Sequence, residues 1–221
     1  MKTFIIIPAR NEGGRINQVL LDVHTHLPNA RVIVVDDGSN DNTSNEAENF
    51  DGVVVLRHRI NLGKGAALKT GCDAAAHMGA ELVALMDVDG QHTGSDVRKV
   101  VDTLEKSPVD MIFGARSLNR KMPLMMRAGN TILSWLISLF FGISVSDTQC
   151  GLRGFRMNVY QSLRWQSPGY AAETEMLVAA ARHHLTFREV MIETVYHDSY
   201  KGTTVMDGLR ILINIVFWRL Q

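Results

Sequence analysis

The sequence predicts an α/β fold with a mostly parallel central sheet flanked by helices, and three observations carry that expectation. Five short runs of Ile, Val, Leu or Phe lack polar alternation, as suits strands covered on both faces. Segments of helical length and spacing separate those runs. Each run ends in a polar, glycine-punctuated stretch, and in open α/β sheets ligands bind at the carboxyl ends of the strands.

Residues 3–8 open the chain as a strand. One Lys and no small-residue cleavage site accompany them, so they do not read as a signal peptide. A helix is expected over 14–26 and a second strand over 31–36, closed by Asp36-Asp37-Gly38-Ser39. Residues 43–49 supply a short helix, and 53–57 a third strand that runs into Arg59-Ile60-Asn61-Leu62-Gly63-Lys64-Gly65. A helix over 66–78 leads to the fourth strand, 82–87, which ends in Asp87-Val88-Asp89-Gly90-Gln91-His92. A helix over 95–106 precedes the fifth, 111–114, which ends in Gly114-Ala115-Arg116. Right-handed βαβ crossovers join such a series. After Arg116 the alternation breaks down. No repeat or linker interrupts the chain, so residues 1–221 are expected to form one domain of two halves, 1–116 and 117–221.

Composition narrows the function classes. Hydrophobic residues make up 46% and charged residues 21%, an ordinary globular balance. Lys plus Arg (23) equals Asp plus Glu (23), so no global field draws the chain to nucleic acid. Cys72 and Cys150 form no CxxC pair and read as reduced, cytosolic residues. The apolar stretches 131–145 and 209–220 fall short of the roughly 18–20 residues that span a bilayer. Each is either a core helix or a helix lying on a membrane surface, with Trp135 and Phe140 in lipid and Arg127 at the phosphate level.

The acidic pair Asp87 and Asp89 carries the strongest chemical signal. Two apart at an extended strand end, the carboxylates point the same way and repel unless a cation sits between them. Hard oxygen ligands favour Mg²⁺ or Mn²⁺, completed by phosphates and water, and Gln91 could add a third oxygen. Alone, Asp-x-Asp also fits a solvated acidic turn; the apolar strand before it favours the strand-end reading. Asp36-Asp37-Gly38-Ser39 offers a carboxylate to a base or ribose hydroxyl, or forms an Asx-turn with a helix cap at Asn40 or Asp41. Asn61-Leu62-Gly63-Lys64-Gly65 would set Lys64 near a phosphate at a helix N-terminus, although a plain helix start fits as well. Its spacing is not that of a Walker loop.

Taken in order, Pro8-Ala9-Arg10-Asn11-Glu12, Val35-Asp36-Asp37-Gly38-Ser39, Asn61-Leu62-Gly63-Lys64-Gly65, Asp87-Val88-Asp89-Gly90-Gln91-His92 and Gly114-Ala115-Arg116 resemble the motifs of glycosyltransferase family 2. The likeness is to the branch that makes polyprenyl-phosphate sugars, the dolichyl-phosphate mannose synthase type. It continues through Asp147-Thr148-Gln149-Cys150-Gly151-Leu152-Arg153-Gly154-Phe155 and Glu173-Thr174-Glu175-Met176-Leu177. The resemblance implies a GT-A fold, Rossmann-like and nucleotide-sugar-binding, with 1–116 as the donor half and 117–221 as the acceptor half. It implies a UDP- or GDP-sugar donor, inversion at the anomeric carbon and a polyprenyl phosphate acceptor. Pro8, Ala9, Arg10, Asn11, Glu12, Asp36 and Asp37 would hold base and ribose, joined on the donor by Lys64 and Asp87. Asp87, Asp89 and Gln91 would hold the metal. Arg116, Arg127 and Thr131 would grip the acceptor phosphate and Lys201 would close over it.

A phosphate monoester suits this chemistry independently. Its second pKa is about 6, so it is largely dianionic near neutral pH and attacks without a general base. It needs in-line positioning and charge neutralisation, for which Arg116, Arg127, Arg153 and Lys201 are enough cations. Arg153 reads equally well as a structural partner of Asp147. For a sugar-hydroxyl acceptor Glu175 would be the candidate base, while Glu173 and Glu175 also suit the first turn of a helix. His92 and His197 could each contact substrate, but a lone His is more often structural or solvated. Gln161-Ser162-Leu163-Arg164-Trp165 spells the QxxRW of processive polysaccharide synthases, but it precedes the acidic pair and reads as coincidence on a short helix. The expected partners are a nucleotide-sugar, a polyprenyl phosphate, the cytoplasmic face of a membrane, and a membrane protein or second copy of the chain. The rivals are a soluble hydroxyl acceptor and a silent nucleotide-sugar binder. A nucleotidyltransferase is more distant, because its glycine-rich loop after the first strand is missing.

Overall fold

The computed structural model describes residues 1–116, 124–193 and 205–220, with the side chains of 124–127, 205–207 and 209 excepted. The five expected strands form as β1 (Thr3–Ala9), β2 (Arg31–Asp36), β3 (Val53–Arg57), β4 (Leu82–Leu85) and β5 (Met111–Arg116). Helices α1 (Ile16–His26), α2 (Thr43–Glu48), α3 (Lys64–His77) and α4 (Gly94–Lys106) connect them. Departures from expectation lie at the ends. β4 stops two residues short of Asp87: Met86 still donates to the Ile6 carbonyl (3.1 Å), and then Gly90, at φ 76°, helps turn the chain. β5 runs two residues further than its apolar run, because a neighbouring strand pairs with it as far as Arg116.

That neighbour comes from the second half of the chain, which builds into the same sheet. β6 (Arg153–Arg156) lies antiparallel between β4 and β5, and β7 (Phe187–Ile192) runs parallel to β5 at the edge. The strand order among the described residues is β3-β2-β1-β4-β6-β5-β7. Helices α5 (Leu124–Phe141), α6 (Tyr160–Leu163), α7 (Ala171–Arg182) and α8 (Val205–Leu220) complete the fold.

Both faces of the sheet are covered, which is why its strands do not alternate. Phe4 and Ile6 join Leu68, Cys72, Leu133, Ile137, Met176, Ile211 and Ile215 beneath α3, α5, α7 and α8. Ile5 and Ile7 join Leu20, Val23, Ala47, Val97 and Val101 beneath α1, α2 and α4. Each of the Phe, Ile, Leu, Val and Met side chains among them stabilises the fold by about 1.5–3 kcal/mol. From β1 the chain winds outward to β2 and β3, then returns to β4 on the other side. The topological switch therefore lies between β1 and β4, at whose carboxyl ends a ligand crevice is expected.

Candidate functional site

A cleft of about 460 Å³ opens at that switch point. Pro8, Ala9, Arg10, Asn11 and Glu12 line it from the end of β1, and Asp87, Val88 and Asp89 from beyond β4. Asp37, Asn61, Gly63, Lys64, Gly169 and Tyr170 complete the lining. The end of β1 is bent at Asn11, whose φ of 54° lies in the left-handed region that Asn tolerates better than most residues. Asn11 N–H donates to Ser39 Oγ (2.9 Å), its Oδ1 accepts from Asn40 N–H (3.0 Å), and Glu12 N–H donates to Thr43 Oγ1 (2.8 Å). The segment that follows β1 is thereby tied to the turn that follows β2.

The two carboxylates of that turn take different places. Asp36 is fully buried and outside the lining: Ser39 N–H donates to its Oδ1 (2.8 Å), the Ser44 hydroxyl donates to its Oδ2, and Arg57 stands 3.5 Å away. Asp37 does line the cleft, and accepts from Leu62 and Gly63 N–H (both 2.8 Å) and from His58 (2.7 Å). The helix cap expected at Asn40 or Asp41 falls instead at Asn42, while Asp41 accepts from Thr43 N–H (3.0 Å).

Gly63 turns the chain into α3 at φ 98°, and a Cβ there would stand 2.5 Å from the Pro168 carbonyl oxygen. Lys64, the first residue of α3, is set between two carboxylates, with Nζ 2.7 Å from Asp87 Oδ1 and 2.6 Å from Glu173 Oε1. Burial works against the ammonium, but Asp87 and Glu173 outweigh it and raise its pKa above the usual lysine range. Burial likewise works against the Asp87 carboxylate, and Lys64 overcomes it and lowers that pKa. Asp89 goes the other way. Burial and then the Asp87 charge push it up to about 6, although Gln91 N–H donates to its Oδ1 (2.9 Å).

Two carboxylates lining one cleft, one of them reluctant to ionise, fit a divalent cation that draws its remaining ligands from phosphate and water. Among the described residues no group of three His, Cys, Asp or Glu side chains stands ready to hold an ion. Gln91 shares the turn, but its side chain is buried and outside the cleft lining.

Behind the cleft, Arg116 is buried and bidentate on Asp147, with Nε–Oδ2 at 2.6 Å and Nη2–Oδ1 at 3.0 Å. The expected pairing of Arg153 with Asp147 is thus replaced. Arg153 is fully buried and donates to the carbonyls of Cys150 (3.0 Å), Thr148 (2.8 Å) and Glu173, beside the Phe113 ring. Its planar fork suits three main-chain acceptors, and it ties the segment before β6 to α7. Gly151 in that segment packs so closely on the Asp87 carboxylate that a Cβ would collide with it.

Glu175 accepts from Gln166 and Ser167 N–H (2.8 Å each) and so anchors the loop before α7. Its neighbour Glu173 is the one that meets Lys64. Glu173 Oε2 and His92 Nδ1 are buried with no hydrogen-bond partner among the described residues. Burial lowers His92 to about 4, so its ring is neutral at physiological pH. Sequence patterning marks Glu173 only as a helix-start charge. Nothing in it marks Tyr170, whose ring lies 5.8 Å from Lys64 Nζ, because that approach depends on α7 packing against α3. Thr131 is exposed on α5; Arg127 lies on α5 with its side chain outside the described residues, as are Lys201 and His197 entirely. The QxxRW-like segment has a packing role: Trp165 is buried and donates to the Gly65 carbonyl (2.8 Å), and Arg164 pairs with Asp73 (2.8 Å).

Residues 4–164 match the family model for glycosyl transferase family 2. The chain is 32% identical over 241 residues to the UDP-N-acetylglucosamine–dolichyl-phosphate N-acetylglucosaminyltransferase of Methanococcus voltae, across 98% of this chain and 96% of that protein. It is 26% identical over 239 residues to the polyprenol monophosphomannose synthase of Mycolicibacterium smegmatis, across 100% of this chain and 88% of the other. In structure it is similar to the glucosyl-3-phosphoglycerate synthase of Mycobacterium tuberculosis solved with Mn²⁺, UDP-glucose and phosphoglyceric acid. The TM-score is 0.79 at 19% identity, covering 99% of this chain and 79% of that one.

Proposed function

The chain belongs to glycosyl transferase family 2 and has the GT-A fold, and from that premise we propose that it moves a sugar from a UDP- or GDP-sugar to a polyprenyl phosphate at the cytoplasmic face of a membrane, with Mg²⁺ or Mn²⁺. The observation that carries the proposal is the meeting of Asp87, Asp89 and Lys64 in one cleft at the β1/β4 switch point. The names of two relatives matched over nearly the whole chain support the acceptor, and the Mn²⁺ and UDP-glucose of the structural neighbour support the donor side.

In this reading the segment Pro8–Glu12 and Asp37 receive base and ribose, while Asp36 braces their turn from within. Asp87 and Asp89, with Gln91 beside them, would hold the cation, which when bound offsets charge building on the leaving diphosphate. Lys64 adds a positive charge to the same place. Arg116, oriented by Asp147, would serve the acceptor phosphate together with Arg127, Thr131 and Lys201. The acceptor is its own nucleophile, so inversion requires alignment and no base.

The membrane part of the reading draws on α5 and α8. Leu133, Ile137, Ile211 and Ile215 are buried, whereas Ile132, Trp135, Leu139, Ile213, Val216 and Phe217 are exposed. Each helix thus has one face in the core and an apolar face outside it, which fits a helix lying in the headgroup layer. No helix among the described residues is long and apolar enough to cross a membrane. The rival with a hydroxyl acceptor has less support, because both oxygens of its candidate base, Glu175, already accept main-chain N–H groups.

The test is to incubate the protein with Mn²⁺, undecaprenyl phosphate and radiolabelled UDP- and GDP-sugars. Label should enter the organic phase, and should be lost with EDTA and with Asp89→Ala. Donor binding by calorimetry with no organic-phase label from any donor would refute the polyprenyl-phosphate acceptor.

A further inference from the structure

Lys64 stands where two positive charges would compete. Its Nζ lies 2.7 Å from Asp87 Oδ1, 2.9 Å from Asp87 Oδ2 and 2.6 Å from Glu173 Oε1. One ammonium thus engages both oxygens of a carboxylate that the donor-site reading assigns to the metal. A divalent cation on Asp87 would stand within a few ångströms of Nζ, a repulsion of about 2–8 kcal/mol at 4 Å for effective dielectrics of 80 to 20. Glu173 supplies the other half of the arrangement. It is 4% exposed, and its Oε2 has no hydrogen-bond partner among the described residues, so it can hold the ammonium when Asp87 releases it. The flexible four-carbon stem of lysine permits the movement, and the Tyr170 ring, 5.8 Å from Nζ, flanks it.

We propose that Lys64 is a positioning residue that occupies Asp87 in place of the divalent cation and transfers to Glu173 and the donor diphosphate when the nucleotide arrives. The proposal rests on the metal-dependent donor site described above. Its consequence is linkage: the cation alone binds weakly, the nucleotide draws Lys64 off Asp87, and each ligand strengthens the other.

Calorimetric titration of the full chain with Mn²⁺, without and with saturating UDP (GDP in parallel), tests this without turnover. Lys64→Met is expected to raise Mn²⁺ affinity in the absence of nucleotide by about tenfold. It should weaken UDP binding, and reduce the factor by which UDP tightens Mn²⁺ by about tenfold. A merely structural lysine would lower affinity for both ligands together; that result, or an unchanged coupling factor, overturns the proposal. Glu173→Gln is close in shape and guards against misfolding of the first variant. It leaves Lys64 wholly on Asp87 and should weaken Mn²⁺ binding about fivefold, so no change or a gain overturns the exchange. Wild-type protein that binds neither Mn²⁺ nor UDP or GDP removes the donor-site reading and the exchange with it. Normal wild-type binding with unchanged coupling in Lys64→Met removes the exchange alone.

Discussion

Burial and the neighbouring Asp87 charge move the Asp89 carboxyl from 3.8 up to about 6. The fold thus favours the protonated form, a contribution complete below pH 3.8 and lost as pH rises through about 6. A cation bound by Asp89 must displace that proton. Mn²⁺ affinity should therefore climb by up to about tenfold per pH unit towards pH 6 and level off above it; a flat calorimetric profile between pH 5 and 8 would contradict this. Asp89→Asn should abolish Mn²⁺-supported transfer yet stabilise the metal-free fold at pH 7.5, by on the order of 1 kcal/mol once partial exposure is discounted. Thermal melting reads that gain, and a loss would mean that the charge is not strained. Arg153 sits at the opposite extreme, since among the described residues its side chain donates to three main-chain carbonyls and lies beside the Phe113 ring. Arg153→Met leaves three buried carbonyls without their donor and should cost about 3 kcal/mol or more in urea unfolding. A variant with wild-type stability would show that the fork is dispensable.

Among the elements, α5 and α8 pose the question that periodicity leaves open, whether an apolar helix is a core helix or a surface one. They are both, because each packs on one side against its neighbours and keeps large apolar residues exposed on the other. Replacing Trp135 and Phe217 together by Ser removes two rings that are mostly exposed, at 61% and 60%. It should weaken co-sedimentation with anionic vesicles by about tenfold or more while leaving the circular dichroism unchanged. Equal vesicle binding by variant and wild type would detach this face from the membrane reading. β6 shows what one strand contributes to a site from a distance. Its antiparallel course between β4 and β5 brings Gly151 against Asp87 and Arg153 beneath α7, so the second half of the chain supports the cleft at the ends of β1 and β4.

For the molecule as a whole, ligands that bind the folded cleft should raise its stability by mass action. Mn²⁺ with UDP or GDP at a hundred times the dissociation constant adds about 2.7 kcal/mol, which for a chain of this size is a rise of about 5–10 °C in melting temperature. No rise with either nucleotide would argue that the cleft is not the donor site. The sequence by itself determined the five first strands and the helices between them, because apolar period and glycine punctuation are local properties of the chain. It also placed Asp87, Asp89, Asp37 and Lys64 at strand and helix ends, where the parallel topology collects them. Other choices were made only by packing between residues far apart in the chain. Asp37 rather than Asp36 faces the cleft because Ser39, Ser44 and Arg57 enclose Asp36. Glu173 rather than Glu175 meets Lys64 because α7 docks on α3 with one face. Asp147 pairs with Arg116 rather than Arg153 because β6 carries Arg153 towards main-chain carbonyls instead. Spacing along the chain can nominate a charged residue, but its partner is set by which surfaces come together in three dimensions, and that is information no local pattern contains.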